Sequence, residues 1–264
     1  MSDLAAAGTL FTELRGGVLH VVFNRPDKKN ALTLAMYEAA NAAFERAASD
    51  AAVKAVLIAG EGSSFTAGND LQDFLSNPPR GEDAPVLQFL RHLATLDKPL
   101  IAAAQGFAVG VGTTLLMHCD LVYAADDAQF VLPFVHLGLC PEAASSLLLP
   151  QIAGYQRAAD KLLLGEPFGA AEALEMGLVN RVLAADELRG FAVMQAEKFA
   201  RLPAPSVRAT KRLLKGMGDQ GPQAVLARMR AEEQLFQALL AAPAAREAMT
   251  AFLQKRKPDF SAIE

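Results

Sequence analysis

The sequence predicts an α/β fold followed by a helical region. Over residues 1–130, short apolar runs rich in β-branched side chains alternate with segments of helical periodicity. From Ala143 onward the periodicity is almost wholly helical, and residues 179–183 form the one clear strand candidate there. Because alternating strands and helices are typical of a sheet covered by helices, we assign the chain to the α/β class.

The order of elements can be read from apolar runs and from helix start signals. Thr33 is a candidate N-cap, and Pro222 and Pro243 open or separate the last helices. A change of organisation near residues 203–205 divides a core over 1–200 from a helical region over 201–264, within one continuous domain. Strands are predicted at 18–24, 54–60, 99–106 and 120–125, and helices at 33–49, at 86–96 and near Val111.

Composition limits the classes of function. The 264 residues are 52% hydrophobic and carry a net charge of -4, so no overall positive field attracts nucleic acid or an anionic membrane. Cys119 and Cys140 lack the spacing of a disulfide framework or a zinc site. The N-terminal stretch does not resemble a secretory signal, so a cytoplasmic location is the default expectation.

Residues 63–74, "SSFTAGNDLQDF", follow a predicted strand and contain the first candidate site. Gly68 permits a positive φ or a close backbone approach, after which the amide of Asn69 is free to point into a crevice as a donor. A simpler interpretation is a tight loop in which Asp70 caps the next helix. The residues alone favour the loop.

Glycines at positions 106, 110 and 112 lead from a strand into a helix. Helix N-termini favour negative charge, so the amide of Val111 or of a neighbour is a candidate anion-binding group. The alternative is glycine used only for close packing. The GxxxGxG spacing differs from the dinucleotide fingerprint, so the sequence does not support a nicotinamide cofactor.

Residues 136–150, "HLGLCPEAASSLLLP", place one acid, Glu142, among apolar residues. Pro141 suits the first turn of a helix, which would put Glu142 in that turn, where the helix dipole stabilises a carboxylate. Apolar flanks instead remove water and raise the carboxyl pKa, as in a general base. The two influences oppose each other, and an exposed first-turn acid is the simpler alternative.

The four histidines are scattered, and no HExxH or Cys/His cluster occurs, so we predict no metal site. His118 and His136 are expected to be packed or peripheral. Residues 255–258, "KRKP", are most simply a solvated helix end, and the alternative is a phosphate-binding group.

Four stretches together resemble the crotonase, or enoyl-CoA hydratase/isomerase, superfamily. The resemblance covers residues 10–257 and implies a spiral of strand-strand-helix repeats, a C-terminal helical trimerisation region, and homotrimers or hexamers. It also implies an acyl-coenzyme A thioester as the substrate, with no other cofactor. The stretches are "NRPDKKNAL" (24–32), "FTAGNDL" (65–71), "QGFAVGVGTTLLMHCDLVYAADDAQF" (105–130) and "GEPFGAAEALEMGLVNRV" (165–182).

By this resemblance, the amides of Asn69 and Val111 form an oxyanion hole for the thioester oxygen. Two preorganised donors suit this role because removing the α-proton of a thioester puts negative charge on that oxygen. The resemblance and the apolar flanks together imply a larger set of substrate-binding residues: Lys28, Lys29, Ala67, Gly68, Asp70, Leu71, Phe74, Gly110, Phe134 and Leu137. For Phe74, Phe134 and Leu137, burial in the core is an equal alternative. The resemblance also makes the "KRKP" end a candidate contact for the coenzyme A phosphates.

The chain departs from the hydratases of this superfamily at two positions. Thr114 and Phe134 stand where those enzymes carry the two glutamates that handle water, so hydratase activity is not expected. The segment around Glu142 is similar to that of the peroxisomal type of Δ3,Δ2-enoyl-CoA isomerases, in which this glutamate is the catalytic base. Ala143 stands where that branch commonly has glycine.

The sequence therefore predicts an enzyme of fatty acid β-oxidation that moves the double bond of a 3-enoyl-CoA to give a trans-2-enoyl-CoA, with Glu142 as the single acid/base. Two alternatives stay open. One is a hydratase or another crotonase reaction, and the other is a catalytically silent subunit that binds acyl-CoA.

Overall fold

The computed structural model describes residues 8–79, 81, 83–216, 221–261 and 263. Strands and helices are interspersed up to β9, and all regular elements described after β9 are helices. The strands are β1 (Leu10–Arg15), β2 (Val18–Phe23), β3 (Ala55–Gly60), β4 (Leu100–Ala104), β5 (Phe107–Val109), β6 (Leu121–Ala125), β7 (Gln129–Val131), β8 (Phe168–Gly169) and β9 (Arg181–Leu183). The helices are α1 (Leu34–Ser49), α2 (Leu71–Ser76), α3 (Pro85–Thr95), α4 (Val111–Thr114), α5 (Ser145–Ala153), α6 (Tyr155–Leu164), α7 (Ala170–Met176), α8 (Ala185–Lys198), α9 (Ala204–Lys215), α10 (Pro222–Leu240) and α11 (Pro243–Leu253).

The strands form two sheets. The larger sheet has the order β1, β2, β3, β4, β6, β9, and the smaller has the order β5, β7, β8. Strand β1 is antiparallel to β2, whereas β2, β3, β4, β6 and β9 run parallel. Parallel strands need a crossover connection between them, which explains the alternation of strands and helices in the sequence.

Both faces of the larger sheet are covered. Within β3, Val56 and Ile58 belong to the main core with the buried residues of α1 and α3, whereas Leu57 belongs to a second core with α8. All six residues of β3 are buried, as is usual in parallel sheets. Among the described residues, every helix is too short or too polar to span a lipid bilayer.

Most predicted elements are confirmed within a few residues. Thr33 is the N-cap of α1, and its hydroxyl accepts a hydrogen bond from the amide of Met36. Pro222 and Pro243 are the first residues of α10 and α11. The predicted helix start at Pro141 is wrong, because α5 begins at Ser145. Glu142 therefore lies in the turn before the helix and not in its first turn.

The two sheets are joined by the chain that follows β3. Thr66 donates its amide hydrogen to the carbonyl of Phe107 over 3.0 Å and accepts from the amide of Val109, also over 3.0 Å. This pairing brings the loop after β3 against β5, so Gly68 and Gly110 belong to neighbouring loops.

Candidate active site

The loop after β3 turns at Gly68. This residue has φ +81°, and a Cβ built on it would lie 2.6 Å from the carbonyl oxygen of Val109. Its own carbonyl accepts the amide of Leu32, and Asp70 donates its amide to the carbonyl of Leu32. These two bonds hold the backbone on both sides of Asn69.

The loop after β5 turns at Gly110, which has φ +56°. Val111 then begins α4, so its amide is one of those that a helix leaves without an internal partner. Among hydrogen bonds between described residues, neither the amide of Asn69 nor that of Val111 donates to an acceptor. Both residues line the same cavity.

Glu142 reaches this cavity from a tight turn. Ala143 and Ala144 follow it with φ +58° and φ +56°, both in the left-handed region. Ser145 closes the turn by donating its amide and its hydroxyl to the carbonyl of Glu142, over 3.0 and 2.6 Å. This conformation directs the Glu142 side chain towards Thr114, whose hydroxyl donates to Oε1 over 2.6 Å.

The Glu142 carboxyl group is a weak acid. Burial raises its pKa to about 8; the hydrogen bond from Thr114 acts in the opposite direction, and the negative charge of Glu232 adds to the increase. The sequence suggested two opposing influences on this pKa, the helix dipole and burial among apolar residues. The effect of burial is the larger one. A carboxyl group with this pKa is able to hold and release a proton near neutral pH.

The cavity has a volume of about 780 Å³ and is accompanied by a smaller one of about 120 Å³. Asn69, Val111 and Glu142 line both of them. The smaller cavity extends between α3 and α10 along Val86, Leu87, Leu90, Met229 and Phe236, so it is mostly apolar. All predicted site residues except Lys29 line the larger cavity: Lys28, Ala67, Gly68, Asn69, Asp70, Leu71, Phe74, Gly110, Val111, Phe134, Leu137 and Glu142.

Lys29 lies outside the residues that line either cavity. Its backbone has φ 49°, and its ammonium group lies over the ring of Phe107, 4.5 Å from the ring centroid. The left-handed backbone turns this side chain away from its neighbour Lys28, which does line the larger cavity. Of the two lysines predicted near the entrance, only Lys28 lines the cavity, and a substrate-binding role for either stays a prediction.

Asp70 combines the two interpretations suggested by the sequence. Its side chain caps α2 by accepting the amides of Gln72 and Asp73, and it also lines the cavity. Arg25 forms an ion pair with it over 2.6 Å. Although partial burial acts in the opposite direction, the hydrogen bond from Arg25 lowers the pKa of Asp70. The carboxylate thus fixes Arg25 at the cavity wall.

Sequence reasoning missed two contributions to the site, because Arg25 and Phe236 both line the larger cavity. Arg256 lines it as well. Arg256 belongs to the "KRKP" stretch, but Glu247 binds its guanidinium through both carboxylate oxygens. The resemblance pointed to the "KRKP" stretch, but no local pattern identifies Arg25 or Phe236 as part of the cavity wall.

His118 is buried, as expected from the sequence. Its Nε2 lies 2.8 Å from the carbonyl oxygen of Ala143, which accepts hydrogen bonds only, so Nε2 carries the hydrogen. Burial lowers the pKa of His118 to about 4, and the charge of Lys215 acts in the same direction. His136, predicted to be packed or peripheral, lines the larger cavity.

The fold and the cavity agree with a family match over nearly the whole chain. The family model described as enoyl-CoA hydratase/isomerase matches residues 13–262, and the chain belongs to this family. It is an enzyme of the crotonase superfamily, with the α/β core and helical C-terminus of that fold.

Some relatives are named as hydratases and others as isomerases. A probable enoyl-CoA hydratase of Rhizobium meliloti (strain 1021) is 36% identical over 96% of this chain and 97% of its own. Enoyl-CoA delta isomerase 2 of Rattus norvegicus is 38% identical over 79% of this chain, which corresponds to 54% of the rat protein. The crystal structure of an enoyl-CoA hydratase/isomerase from Pseudoalteromonas atlantica T6c has a TM-score of 0.90 and 41% identity, covering 96% of this chain and 100% of that one.

Proposed function

We propose that the enzyme converts a 3-enoyl-CoA to a trans-2-enoyl-CoA with Glu142 as its single acid/base. The observation that carries this proposal is one carboxyl group, with a pKa near 8, at the junction of a large cavity and a smaller apolar one. Double-bond migration needs a group that removes a proton and returns it to another carbon. A single such carboxyl group is sufficient for that task.

In the proposed reaction, the Glu142 carboxylate takes a proton from C2 of the substrate. The electron pair of the C–H bond moves towards the thioester oxygen, and the amides of Asn69 and Val111 donate to the dienolate that results. The Glu142 carboxyl group then returns the proton to C4. The double bond now lies between C2 and C3, the carbonyl re-forms, and Glu142 is again a carboxylate.

The surroundings of Glu142 favour isomerisation over hydration. Thr114 and Phe134 occupy the positions of the two glutamates that handle water in hydratases of this superfamily, and neither side chain is an acid or a base at neutral pH. Thr114 instead donates its hydroxyl to Glu142. An apolar site that excludes water protects a dienolate from side reactions.

Hydration is the second candidate, because the relative from Rhizobium meliloti that matches almost end to end is named a probable enoyl-CoA hydratase. Turnover of a 3-enoyl-CoA and hydration of crotonyl-CoA by the same preparation separate the two reactions. We expect the specificity constant kcat/KM for isomerisation to exceed that for hydration by about 100-fold or more, the scale of one missing acid/base. Rapid hydration without isomerisation would overturn the proposal.

The pH dependence of isomerisation gives a further prediction. Glu142 must be deprotonated to remove the C2 proton, and its pKa is raised to about 8. We therefore expect kcat/KM to rise with pH and to level off above about pH 8, because this parameter reports ionisation in the free enzyme. Initial rates between about pH 6 and pH 9.5 would measure the midpoint. A midpoint near the ordinary glutamate value would contradict the assignment.

The expected trimer or hexamer and the cytoplasmic location stay predictions. Several large apolar side chains on the outer helices suit burial by a second copy of the chain. Leu213 and Leu214 of α9 are 74% and 69% exposed. The substrate-binding roles of the cavity residues are likewise part of this proposal.

A further inference from the structure

The turn that carries Glu142 has an unfavourable backbone. Ala143 and Ala144 adopt φ +58° and φ +56° in succession, a conformation that suits glycine and is strained for alanine. Such a conformation persists only when surrounding contacts hold it in place. The contacts around this turn therefore decide where the Glu142 carboxyl group lies.

Glu232 of α10 makes three hydrogen bonds to this turn. Its Oε2 accepts the amide of Ala144 over 2.6 Å, and its Oε1 accepts the amide and the hydroxyl of Ser146 over 3.0 and 2.5 Å. The side chain is buried, with 5% of its surface exposed. Burial raises the pKa of Glu232, but three donors converge on its carboxylate and act in the opposite direction by stabilising the ionised form.

The opposite side of the turn is held by His118, whose Nε2 donates to the carbonyl of Ala143 over 2.8 Å. The turn is thus held by hydrogen bonds to its backbone amides on one side and to a backbone carbonyl on the other. Glu232 lies 90 positions from Glu142 in the sequence and lines neither cavity, so it has no direct access to a substrate.

We propose that Glu232 is a positioning residue of the active site: it holds the strained turn of residues 143–146 in the conformation that places the Glu142 carboxyl group at the cavity. This role rests on the proposed function of Glu142 as the base. Two of the three hydrogen bonds that Glu232 accepts come from backbone amides of the turn that carries the base, so its removal affects catalysis through geometry.

The negative charge of Glu232 provides a second measurable effect, a shift in the pH profile of the reaction. It raises the pKa of Glu142, as does burial, so a neutral residue at position 232 lowers that pKa. The other titratable or charged groups near this pair include Tyr37, Cys140, Arg228 and His118. Arg91, Arg230 and Glu233 line the smaller cavity with Glu142. They stay in place in the test, so a shift of the pH profile reports Glu232 itself.

The test is Glu232→Gln in the full-length enzyme, assayed with a 3-enoyl-CoA. Glutamine has nearly the same size, but its amide group cannot accept from every donor that Glu232 binds. We expect kcat to fall about 10- to 100-fold with KM within about twofold, because small displacements of a reacting group have effects of this size. The midpoint of the pH profile should move to lower pH.

Two further variants complete the design. Ala143→Gly in the Glu232→Gln background should restore part of the lost kcat, because glycine adopts the turn without strain. Glu187→Gln, an exposed acid in the first turn of α8, should leave kcat and the pH midpoint unchanged. Melting temperatures of all variants identify any that fail to fold. If Glu232→Gln alone fails to fold, the double variant with Ala143→Gly is compared with the parent instead.

The outcomes separate this inference from the proposed function. If Glu142→Gln abolishes turnover but Glu232→Gln has the kcat and pH midpoint of the parent, the positioning role is wrong and the base assignment stands. A loss of kcat with an unmoved midpoint and no rescue by Ala143→Gly would also overturn it, because general destabilisation explains that result. If Glu142→Gln keeps its turnover, both proposals fail.

Discussion

Replacing Glu142 by glutamine should lower kcat for isomerisation by about 100- to 10,000-fold, the range that a positioned general acid/base contributes. Binding of the acyl-CoA should change little, because the amides of Asn69 and Val111 and the cavity wall stay in place. Glutamine also keeps an oxygen that can accept the Thr114 hydroxyl. Steady-state rates with a 3-enoyl-CoA, together with the dissociation constant of the product, would measure both quantities.

Stability distinguishes a catalytic loss from a folding defect. The pKa of Glu142 is about 8 in the folded protein, whereas an ordinary glutamate has a pKa of 4.5, so the folded state binds the proton more tightly than the unfolded chain does. Its contribution to stability is fully present below about pH 4.5 and is lost as pH rises through about 8. Glu142→Gln removes this pH-dependent loss, whose upper limit is roughly 5 kcal/mol. The melting temperature at pH 9 should therefore equal or exceed that of the parent.

An unchanged kcat in Glu142→Gln would remove this residue from the mechanism and would favour one of the other reactions of the superfamily. Loss of both kcat and thioester binding would indicate a displaced cavity wall. Glu187→Gln serves as the matched control, because it makes the same chemical change at an exposed position that lines neither cavity.

Local sequence signals predicted the framework of the site well. Strand β3 and the glycines after β3 and β5 follow from hydrophobic runs and from the special backbone freedom of glycine, both of which act over a few residues. For the strand and the glycines, the determining residues are close to one another in the chain, so a pattern in the sequence was enough. The apolar neighbours of Glu142 indicated one influence that raises its pKa, but the sequence did not decide between this influence and the opposing helix dipole.

Features of the site that depend on backbone direction or on residues distant in the sequence could not be predicted in this way. Pro141 is compatible with a helix start, but the left-handed Ala143 and Ala144 delay α5 to Ser145. Lys28 and Lys29 are adjacent and chemically identical, yet a positive φ at Lys29 sends only that side chain to Phe107. No pattern near residue 142 points to Glu232, because their relation exists only after α10 has packed against the turn.

The close approach of the two glycine loops leads to the second large effect. Gly68→Ala should lower kcat by about 100-fold or more, because one oxyanion-hole donor has that weight and the substitution displaces the amide of Asn69. The new Cβ would lie 2.6 Å from the carbonyl oxygen of Val109, so the loop after β3 or the loop after β5 must move. Either shift changes the spacing between the amides of Asn69 and Val111.

Gly154→Ala is the matched control for Gly68→Ala. Both glycines have φ +81°, but a Cβ at Gly154 meets no atom within 4 Å, and this residue lies between α5 and α6, away from both cavities. Each variant should lose about 1 to 3 kcal/mol of stability through backbone strain alone. Only Gly68→Ala should also lose kcat at temperatures where both variants are fully folded. Because strain is common to the pair, equal kcat in the two variants would show that the spacing of these two amides does not control the reaction.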